Sequence, residues 1–395
     1  MIGMLNKKTL KKIRKDFPVF KNNIFLDSAA SSQKPIPILK KITNFYKNDY
    51  ANIHRGIYEL SERSSKLYDK SREKISNFIG SKKEEIIFTK NTTESMNLIS
   101  DSLIRHLNKD NPKVLISIME HHSNIVPWLL AKEKYNLEID YIYLNKDKSL
   151  DMNSFKKKVK DCDIVSLTGA SNVLGNHTSN EFFKIAKEND AYTIVDGAQL
   201  IPHSNFKINE NIDFLAFSGH KMLSETGIGV LYGKKDLLNE IPPFLGGGDM
   251  IKEVKKGSFS VAEIPEKFEA GTMPFVQAYS LGLSIDYLEK IGMKKIENHV
   301  KKLSKYARKK LSNIEKINII SSKESASLIS FTHKDYHPHD VAYYLSKNNI
   351  SVRAGNHCAE PLHDFLGIDG SVRASFYLYN SKKDVDILYN TLKGI

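Results

Sequence analysis

The stretch YTIVDGAQ, from Tyr192 to Gln199, joins a short apolar run to a polar end and indicates the fold class. Such a run is typical of a strand buried on both faces, as in parallel sheets covered by helices. Similar runs recur, and the predicted strands are EIIFT (85–89), KVLIS (113–117), IDYIYL (139–144), DIVSLT (163–168), YTIVD (192–196), DFLAFS (213–218) and IGVLYG (228–233). Helical patterns separate them, so the sequence predicts an α/β fold with a mostly parallel seven-stranded sheet sandwiched by helices.

The pattern changes beyond residue 280, where long helical segments precede a strand-rich tail of ASLISFTH, ISVRAG and SVRASFYLYN. A chain of 395 residues is long enough for two domains. We therefore predict a large domain over residues 21–280 and a smaller α+β domain formed by residues 1–20 and 281–395.

Composition and charge exclude several classes of protein. Hydrophobic residues make up 41% of the chain and charged residues 27%, and no apolar run approaches the length of a membrane span. The N-terminus lacks the apolar core of a secretory signal, so we expect a cytoplasmic protein. The net charge of +13 comes from lysines scattered in short pairs, which is typical of solvated helix faces, and a basic nucleic-acid-binding protein is the alternative from a different class.

Polar loops follow five of the predicted strands: KNTTES, IMEHHSN, GASNVLG, GAQ and GHK. In open α/β sheets, ligands bind at the carboxyl ends of the strands. We therefore expect these loops to come together as one ligand site.

Lys221 and Asp196 indicate the chemistry of that site. A lysine at a strand end forms an imine with an aldehyde cofactor when its amine is desolvated, although most lysines of this chain are expected on exposed loops. A carboxylate buried at the neighbouring strand end needs a cationic partner. The pyridinium nitrogen of pyridoxal phosphate is such a partner, and the cofactor pairs with an Asp and a Lys in this way.

The motifs FLDSAASSQKP, NIHRGIYELSERSS, NTTES, EHHSNIVPW, SNVLG, VDGAQ, SGHK, TGIGVLYG, FEAGT, RAGNHCA and RASFYLYN resemble those of the cysteine desulfurases. The resemblance is to the SufS-type, or second, class, within the pyridoxal phosphate-dependent class-V aminotransferase-like proteins, and it runs from about residue 13 to the end. It implies a type I transferase fold. It also implies conversion of L-cysteine to L-alanine, with the sulfur supplied for iron–sulfur cluster assembly.

The resemblance implies a role for each residue around the cofactor ring. Lys221 would bind the cofactor covalently and later move protons at the substrate carbons. Asp196 would keep the ring nitrogen protonated, and Gln199 would donate to the phenolic oxygen. Asn172 would contact cofactor and substrate. His121 would stack on the ring and take part in proton transfer, whereas His122 would be structural.

The resemblance further implies a phosphate cup at a helix N-terminus, where amides and the helix dipole favour an anion. Its residues would be Thr92, Thr93, Ser218, His220 and Thr272. Because Thr272 would come from the neighbouring subunit, a homodimer is implied.

Cys358 would accept the sulfur as a persulfide, since a thiolate is the nucleophilic form of cysteine. His357 and Arg353 lie close enough in sequence to favour the thiolate. Arg373 would bind the substrate carboxylate, with a structural salt bridge as the alternative. The segment around Cys358 predicts a compact loop, so a SufE- or SufU-type acceptor protein would have to approach it. Cys162 is expected in the core.

Three positions depart from the family pattern: Asn356, Gly169 and the segment 223–225. They leave open the choice between sulfur and selenium substrates, so a selenocysteine lyase is the nearest alternative. An aminotransferase would share the cofactor pocket but would have no use for Cys358. Neither a helical His-x3-His pair nor paired cysteines occur, so we expect no metal site.

Overall fold

The computed structural model describes residues 4–54 and 56–395. The helices are α1 (Lys7–Lys15), α2 (Ile36–Asn48), α3 (Glu59–Ile79), α4 (Thr92–Leu107), α5 (Val126–Tyr135), α6 (Met152–Lys158), α7 (Asn180–Glu188), α8 (Lys235–Glu240), α9 (Phe275–Ile291), α10 (Met293–Leu311), α11 (Pro338–Lys347), α12 (Glu360–Leu366) and α13 (Lys382–Leu392). The strands are β1 (Ile24–Phe25), β2 (Ile86–Thr89), β3 (Lys113–Ser117), β4 (Glu138–Ile142), β5 (Ile164–Thr168), β6 (Tyr192–Asp196), β7 (Phe214–Ser218), β8 (Gly229–Gly233), β9 (Ile251–Lys255), β10 (Ser258–Val261), β11 (Ile317–Ile319), β12 (Leu328–His333), β13 (Ile350–Ser351), β14 (Arg353–Gly355) and β15 (Ser371–Ser375). None of the described helices is long and apolar enough to cross a membrane.

The described residues form a seven-stranded sheet in the order β2-β8-β7-β6-β5-β3-β4. Only β8 is antiparallel to its neighbours, so the other strands all end at one edge. Alternate side chains enter cores on opposite faces: Ile164 and Ile194 pack on one face, and Val165 and Val195 on the other. This alternation explains the continuous apolar runs, and the predicted fold class is confirmed.

The C-terminal strands β11, β12, β15 and β14 form an antiparallel sheet in that order. Two details differ from the sequence prediction. The segment ISVRAG splits, because β13 pairs with β1 whereas β14 pairs with β15. The predicted strand SVRASFYLYN ends at Ser375, and the residues after it lie in a buried turn.

The two-domain division stays a prediction. One hydrophobic cluster joins Phe17 and Tyr379 of the predicted small domain to Leu215 of the large one. Residues 1–3 of the predicted small domain lie outside the described residues.

Candidate active site

A cavity of about 240 Å³ lies at the sheet edge where the parallel strands end. The predicted site residues that line it are Thr92, Thr93, His121, Asn172, Asp196, Gln199, Ser218, His220, Lys221 and Arg373. The parallel strands bring these residues together because their carboxyl ends share an edge. Cys358 and Thr272, also predicted, are not among the lining residues.

Lys221 ends the short turn Gly219–Lys221 that follows β7. Burial lowers the pKa of its amine to about 8, and the Asp196 carboxylate opposes this shift only in part. Within the described part of the chain, no side chain accepts a hydrogen bond from Nζ. About a tenth of the amine is therefore neutral at pH 7, and the neutral amine is the nucleophilic form.

Lys34 supports this turn, and the sequence reasoning assigned it no role. Its Nζ donates to the carbonyl oxygen of His220 at 3.1 Å and to that of Ser32 at 2.5 Å. The hydroxyl of Ser32 also donates to the His220 carbonyl. Ser32 and Lys34 therefore hold the backbone carbonyl of His220, next to Lys221, in place. The motif SSQKP was the only signal for it in the sequence.

Asp196, at the end of β6, has a side chain shielded from solvent, and burial raises its pKa. Its Oδ1 accepts a hydrogen bond from the backbone N–H of Ala198 at 2.9 Å. Gln199, in the turn that follows, donates through Nε2 to the carbonyl of Ala29 at 2.7 Å, and its buried Oε1 has no hydrogen-bond partner among the described residues. Each Nε2 carries two hydrogens, so one N–H of Gln199 is still available to a ligand.

Thr92, Thr93 and Ser218 lie where α4 begins beside the end of β7. The hydroxyl of Ser218 accepts from the backbone N–H of Thr92 at 2.9 Å and lies 2.7 Å from its hydroxyl. Gly229 permits this approach, since a Cβ there would lie 2.5 Å from the Cα of Asn91. The N-terminus of a sixteen-residue helix therefore faces the cavity and favours an anion.

His121 is held as a neutral ring by Ser123, which the sequence reasoning did not single out. The Nδ1 atom of His121 accepts from the backbone N–H of Ser123 at 3.1 Å, so Nε2 carries the proton. The Ser123 hydroxyl lies 2.9 Å from that Nδ1 and 2.8 Å from the hydroxyl of Thr93. Burial and the nearby Lys221 lower the pKa of His121 to about 3. His121 therefore presents an N–H group to the site.

Cys358 lies in a four-residue loop, 356–359, between β14 and α12, so a short loop is what the structure contains. Its Sγ is 3.8 Å from Nη2 of Arg353, which also lines the cavity. The expectation for His357 is wrong: its Nε2 lies 3.0 Å from the hydroxyl of Ser371, and burial lowers its pKa to about 2. Arg353 is the cation in contact with the thiol, whereas His357 is neutral. Lys221 and Arg373 also interact electrostatically with Cys358.

Arg373, in the middle of β15, makes the structural salt bridge that was weighed as one of its two roles. Its Nη2 donates to Asp27 at 3.3 Å and its Nη1 to the carbonyl of Asn172 at 3.0 Å, so a structural salt bridge exists. In the part of the chain that the structure describes, its buried Nε–H has no hydrogen-bond partner, and the side chain lines the cavity. Burial lowers the pKa of Arg373 to about 10, which leaves the guanidinium charged near neutral pH.

Thr272 is exposed and follows Gly271, whose φ is 79°. The segment before it is anchored by Glu269, which accepts from Nη1 and Nη2 of Arg72 at 2.7 Å each. Glu269 also accepts from the backbone N–H of Phe88 in β2 at 2.6 Å. The buried pair fixes the start of the loop, and Thr272 stays on the surface of the single chain.

The structure gives a steric reason for one departure from the family pattern and shows the surroundings of the others. A Cβ at Gly169 would lie 2.7 Å from Leu200, so no side chain fits there without a shift. Leu223 is buried with a φ of 69°. Asn356, in the Cys358 loop, donates to the carboxylate of Glu360, the first residue of α12, at 3.3 Å.

The family model for class-V aminotransferases matches residues 24–388. The chain belongs to the class-V aminotransferase family. A probable cysteine desulfurase of Halalkalibacterium halodurans is 41% identical over 96% of this chain and 96% of its own length. The structure of a cysteine desulfurase from Thermococcus onnurineus has a TM-score of 0.95 at 37% identity, covering 100% of this chain and 99% of that one. The cysteine desulfurase CsdA of Escherichia coli has a TM-score of 0.91 at 31% identity, covering 98% of both chains.

This membership confirms the prediction that the protein is a pyridoxal phosphate-dependent enzyme, with pyridoxal phosphate as its cofactor. The geometry of this class-V aminotransferase fits the cofactor. The buried Asp196 carboxylate suits a cationic ring nitrogen, and Gln199 has an N–H available for an oxygen. The start of α4 suits the phosphate, and the desolvated amine of Lys221 suits the aldehyde.

Proposed function

We propose that this class-V aminotransferase is a cysteine desulfurase of the SufS type, which converts L-cysteine to L-alanine and transfers the sulfur to Cys358. The observation that carries the proposal is the position of Cys358, in a short loop with its Sγ 3.8 Å from a cationic side chain of the cofactor cavity. An enzyme that catalyses amino-group transfer needs no thiol at that position. The relatives named above as cysteine desulfurases support the same substrate.

Each side chain of the cavity has a separate role in the proposed reaction. Bound pyridoxal phosphate supplies an electron-withdrawing ring, and Asp196 favours its protonated form. Arg373 binds the substrate carboxylate through its Nε–H, which no described residue occupies, beside Asn172. Lys221, neutral in part, removes and returns protons at the α and β carbons. His121 offers its Nε2–H to the same space.

Sulfur transfer then takes place at Cys358. Its thiolate forms a new S–S bond with the sulfur of cysteine while the carbon–sulfur bond breaks. The electron pair of that bond stays with the β carbon, which takes up a proton and becomes the methyl group of alanine. Arg353 lies 3.8 Å from the Sγ and offers a hydrogen-bond donor to the attacking sulfur.

We expect L-cysteine to give alanine and enzyme-bound sulfur in equal amounts, and an acceptor protein to raise the rate severalfold. The loop of four residues keeps Cys358 near the cavity, so a SufE- or SufU-type thiol must approach it. The assay measures alanine release with and without acceptor, at low and high salt, beside a small reductant. Because the net charge of +13 attracts an acidic acceptor, the rate increase that such an acceptor causes should become smaller as the salt concentration rises. A rate of alanine release that is already maximal with cysteine alone would contradict the proposal that Cys358 depends on an approaching acceptor.

The proposed assembly is a homodimer in which Thr272 completes the phosphate cup of the partner. Its exposure, and its absence from the cavity of its own chain, support this role. We expect a solution mass of twice 44.9 kDa. Thr272→Ala should weaken cofactor binding about tenfold, the effect of one hydrogen bond to an anion, and Thr272→Ser should restore it. A monomer with full cofactor affinity would show that the cup is complete within one chain.

A selenocysteine lyase is the alternative within the same fold. It is distinguished by activity on selenocysteine with none on cysteine. The cytoplasmic location and the delivery of sulfur to iron–sulfur cluster assembly remain predictions from the sequence.

A further inference from the structure

The loop that carries Cys358 has an unfavourable backbone. His357 and Cys358 have φ values of 53° and 57°, in the left-handed region that L-residues avoid. Each such residue costs on the order of 1 kcal/mol, so the conformation persists only when its surroundings hold it. On one side the hold is visible: Nδ2 of Asn172 donates to the carbonyl of His357 at 2.7 Å.

On the other side the loop is held by His122. Its backbone N–H donates to the carbonyl of Cys358 at 2.8 Å. Its ring Nε2 accepts from the backbone N–H of Glu360 at 3.3 Å. Glu360 is the first residue of α12, and the N–H groups of a first helical turn have no partner within the helix. The two bonds enclose the segment 358–360 from both ends.

We propose that His122 is a positioning residue that holds the Cys358 loop through these two hydrogen bonds, which we call the clasp. By holding the loop, His122 sets the access of reagents to the Cys358 sulfur. The adjacent histidines of EHHSN then divide the work: His121 lines the cofactor cavity, and His122 holds the sulfur-bearing loop. The proposal rests on the proposed function only in taking Cys358 as the sulfur acceptor. The clasp itself is a property of the fold.

The bond from Glu360 fixes which part of His122 matters. Since Nε2 accepts, the ring must be unprotonated at that atom. The carboxylate of Glu360 lies 3.7 Å from the same Nε2, so an ion pair is the competing explanation of the contact. A substitution that removes the carboxylate charge but keeps the backbone donor separates the two explanations.

The experiment is alkylation of the purified protein by iodoacetamide, with and without cofactor, followed by peptide mass spectrometry at both cysteines. His122→Phe keeps a ring but removes the acceptor, and we expect Cys358 to react about fivefold faster, the effect of one ordinary hydrogen bond. His122→Gln, whose amide oxygen accepts from Glu360, should restore the slow rate in large part. Glu360→Gln should leave the rate unchanged, because the backbone N–H remains. Cys162, which lies in the core, is the internal control and should stay unreactive in every variant.

An unchanged Cys358 rate in His122→Phe would overturn the clasp, and so would an equal rise at Cys162, which would indicate general loosening. A rise in Glu360→Gln as large as in His122→Phe would assign the contact to the ion pair and also overturn it. Alkylation needs no turnover. If the protein fails to make alanine from cysteine while these rates behave as expected, the proposed function fails and the clasp stands.

Discussion

Replacement of Lys221 by alanine is expected to lower alanine formation from L-cysteine by at least about a thousandfold, as loss of a covalent catalytic group does elsewhere. Among the described residues that line the cavity, Lys221 has the only amine. Lys34 cannot replace Lys221, since its amine donates hydrogen bonds to the carbonyls of Ser32 and His220. Borohydride reduction and mass spectrometry should find the cofactor attached to Lys221 in the natural protein and to no lysine of the variant. Lys66→Ala, which removes an exposed lysine, is the matched control and should keep full activity.

The same substitution should not weaken the cofactor-free fold. The pKa of Lys221 is lowered from 10.5 to about 8, so the folded state disfavours the protonated amine. As pH falls from 10.5 towards 8, the unfolded chain takes up this proton first and the folded protein loses roughly 3 kcal/mol of stability. Lys221→Ala removes that loss, so the stability difference between variant and natural protein should favour the variant at pH 7 and shrink above pH 8. Full activity in the variant, or a difference that does not vary with pH, would contradict the assignment.

Cys358→Ala should also lower alanine formation from cysteine by at least about a thousandfold, because it removes the nucleophile. Cofactor binding should be unchanged, since Cys358 does not line the cavity. Sulfur from labelled cysteine should be trapped on Cys358 in the natural protein and nowhere in the variant. The matched control is Cys162→Ala, because Cys162 is in the core and its Sγ contacts only the carbonyl of Lys158 among the hydrogen-bond acceptors of the described residues.

Selenocysteine gives this variant a second readout. The carbon–selenium bond is weaker than the carbon–sulfur bond and can break without the thiol, so we expect Cys358→Ala to retain activity on selenocysteine. Retention shows that the cofactor and Lys221 still work in the variant. Normal turnover of cysteine by Cys358→Ala would show that the nucleophile is another group.

Much of the site follows from local sequence patterns. Apolar runs such as YTIVD can be buried on both faces only as central strands of a covered sheet, and a parallel sheet brings their carboxyl ends to one edge. Lys221, Asp196 and the start of α4 therefore had to meet once the strands were recognised. Their cofactor followed from their chemistry together with the family resemblance.

Contacts between distant segments were decided by the tertiary structure. Arg373 pairs with Asp27, 346 residues away, and Lys34 supports the turn of Lys221 from 186 residues away. No local pattern encodes such contacts, because they depend on how the C-terminal sheet and the N-terminal segment pack against the large sheet.

The direction of side chains around Cys358 was likewise beyond the sequence. His357 precedes the cysteine, yet its ring contacts Ser371, whereas Arg353, five residues away, contacts the sulfur. The left-handed backbone at residues 357 and 358 produces this arrangement, and Asn172 and His122 contribute hydrogen bonds that hold the loop in it. The sequence by itself determined which residue types meet at the site. The tertiary structure decided which of them touch, because backbone strain and long-range packing set the direction of each side chain.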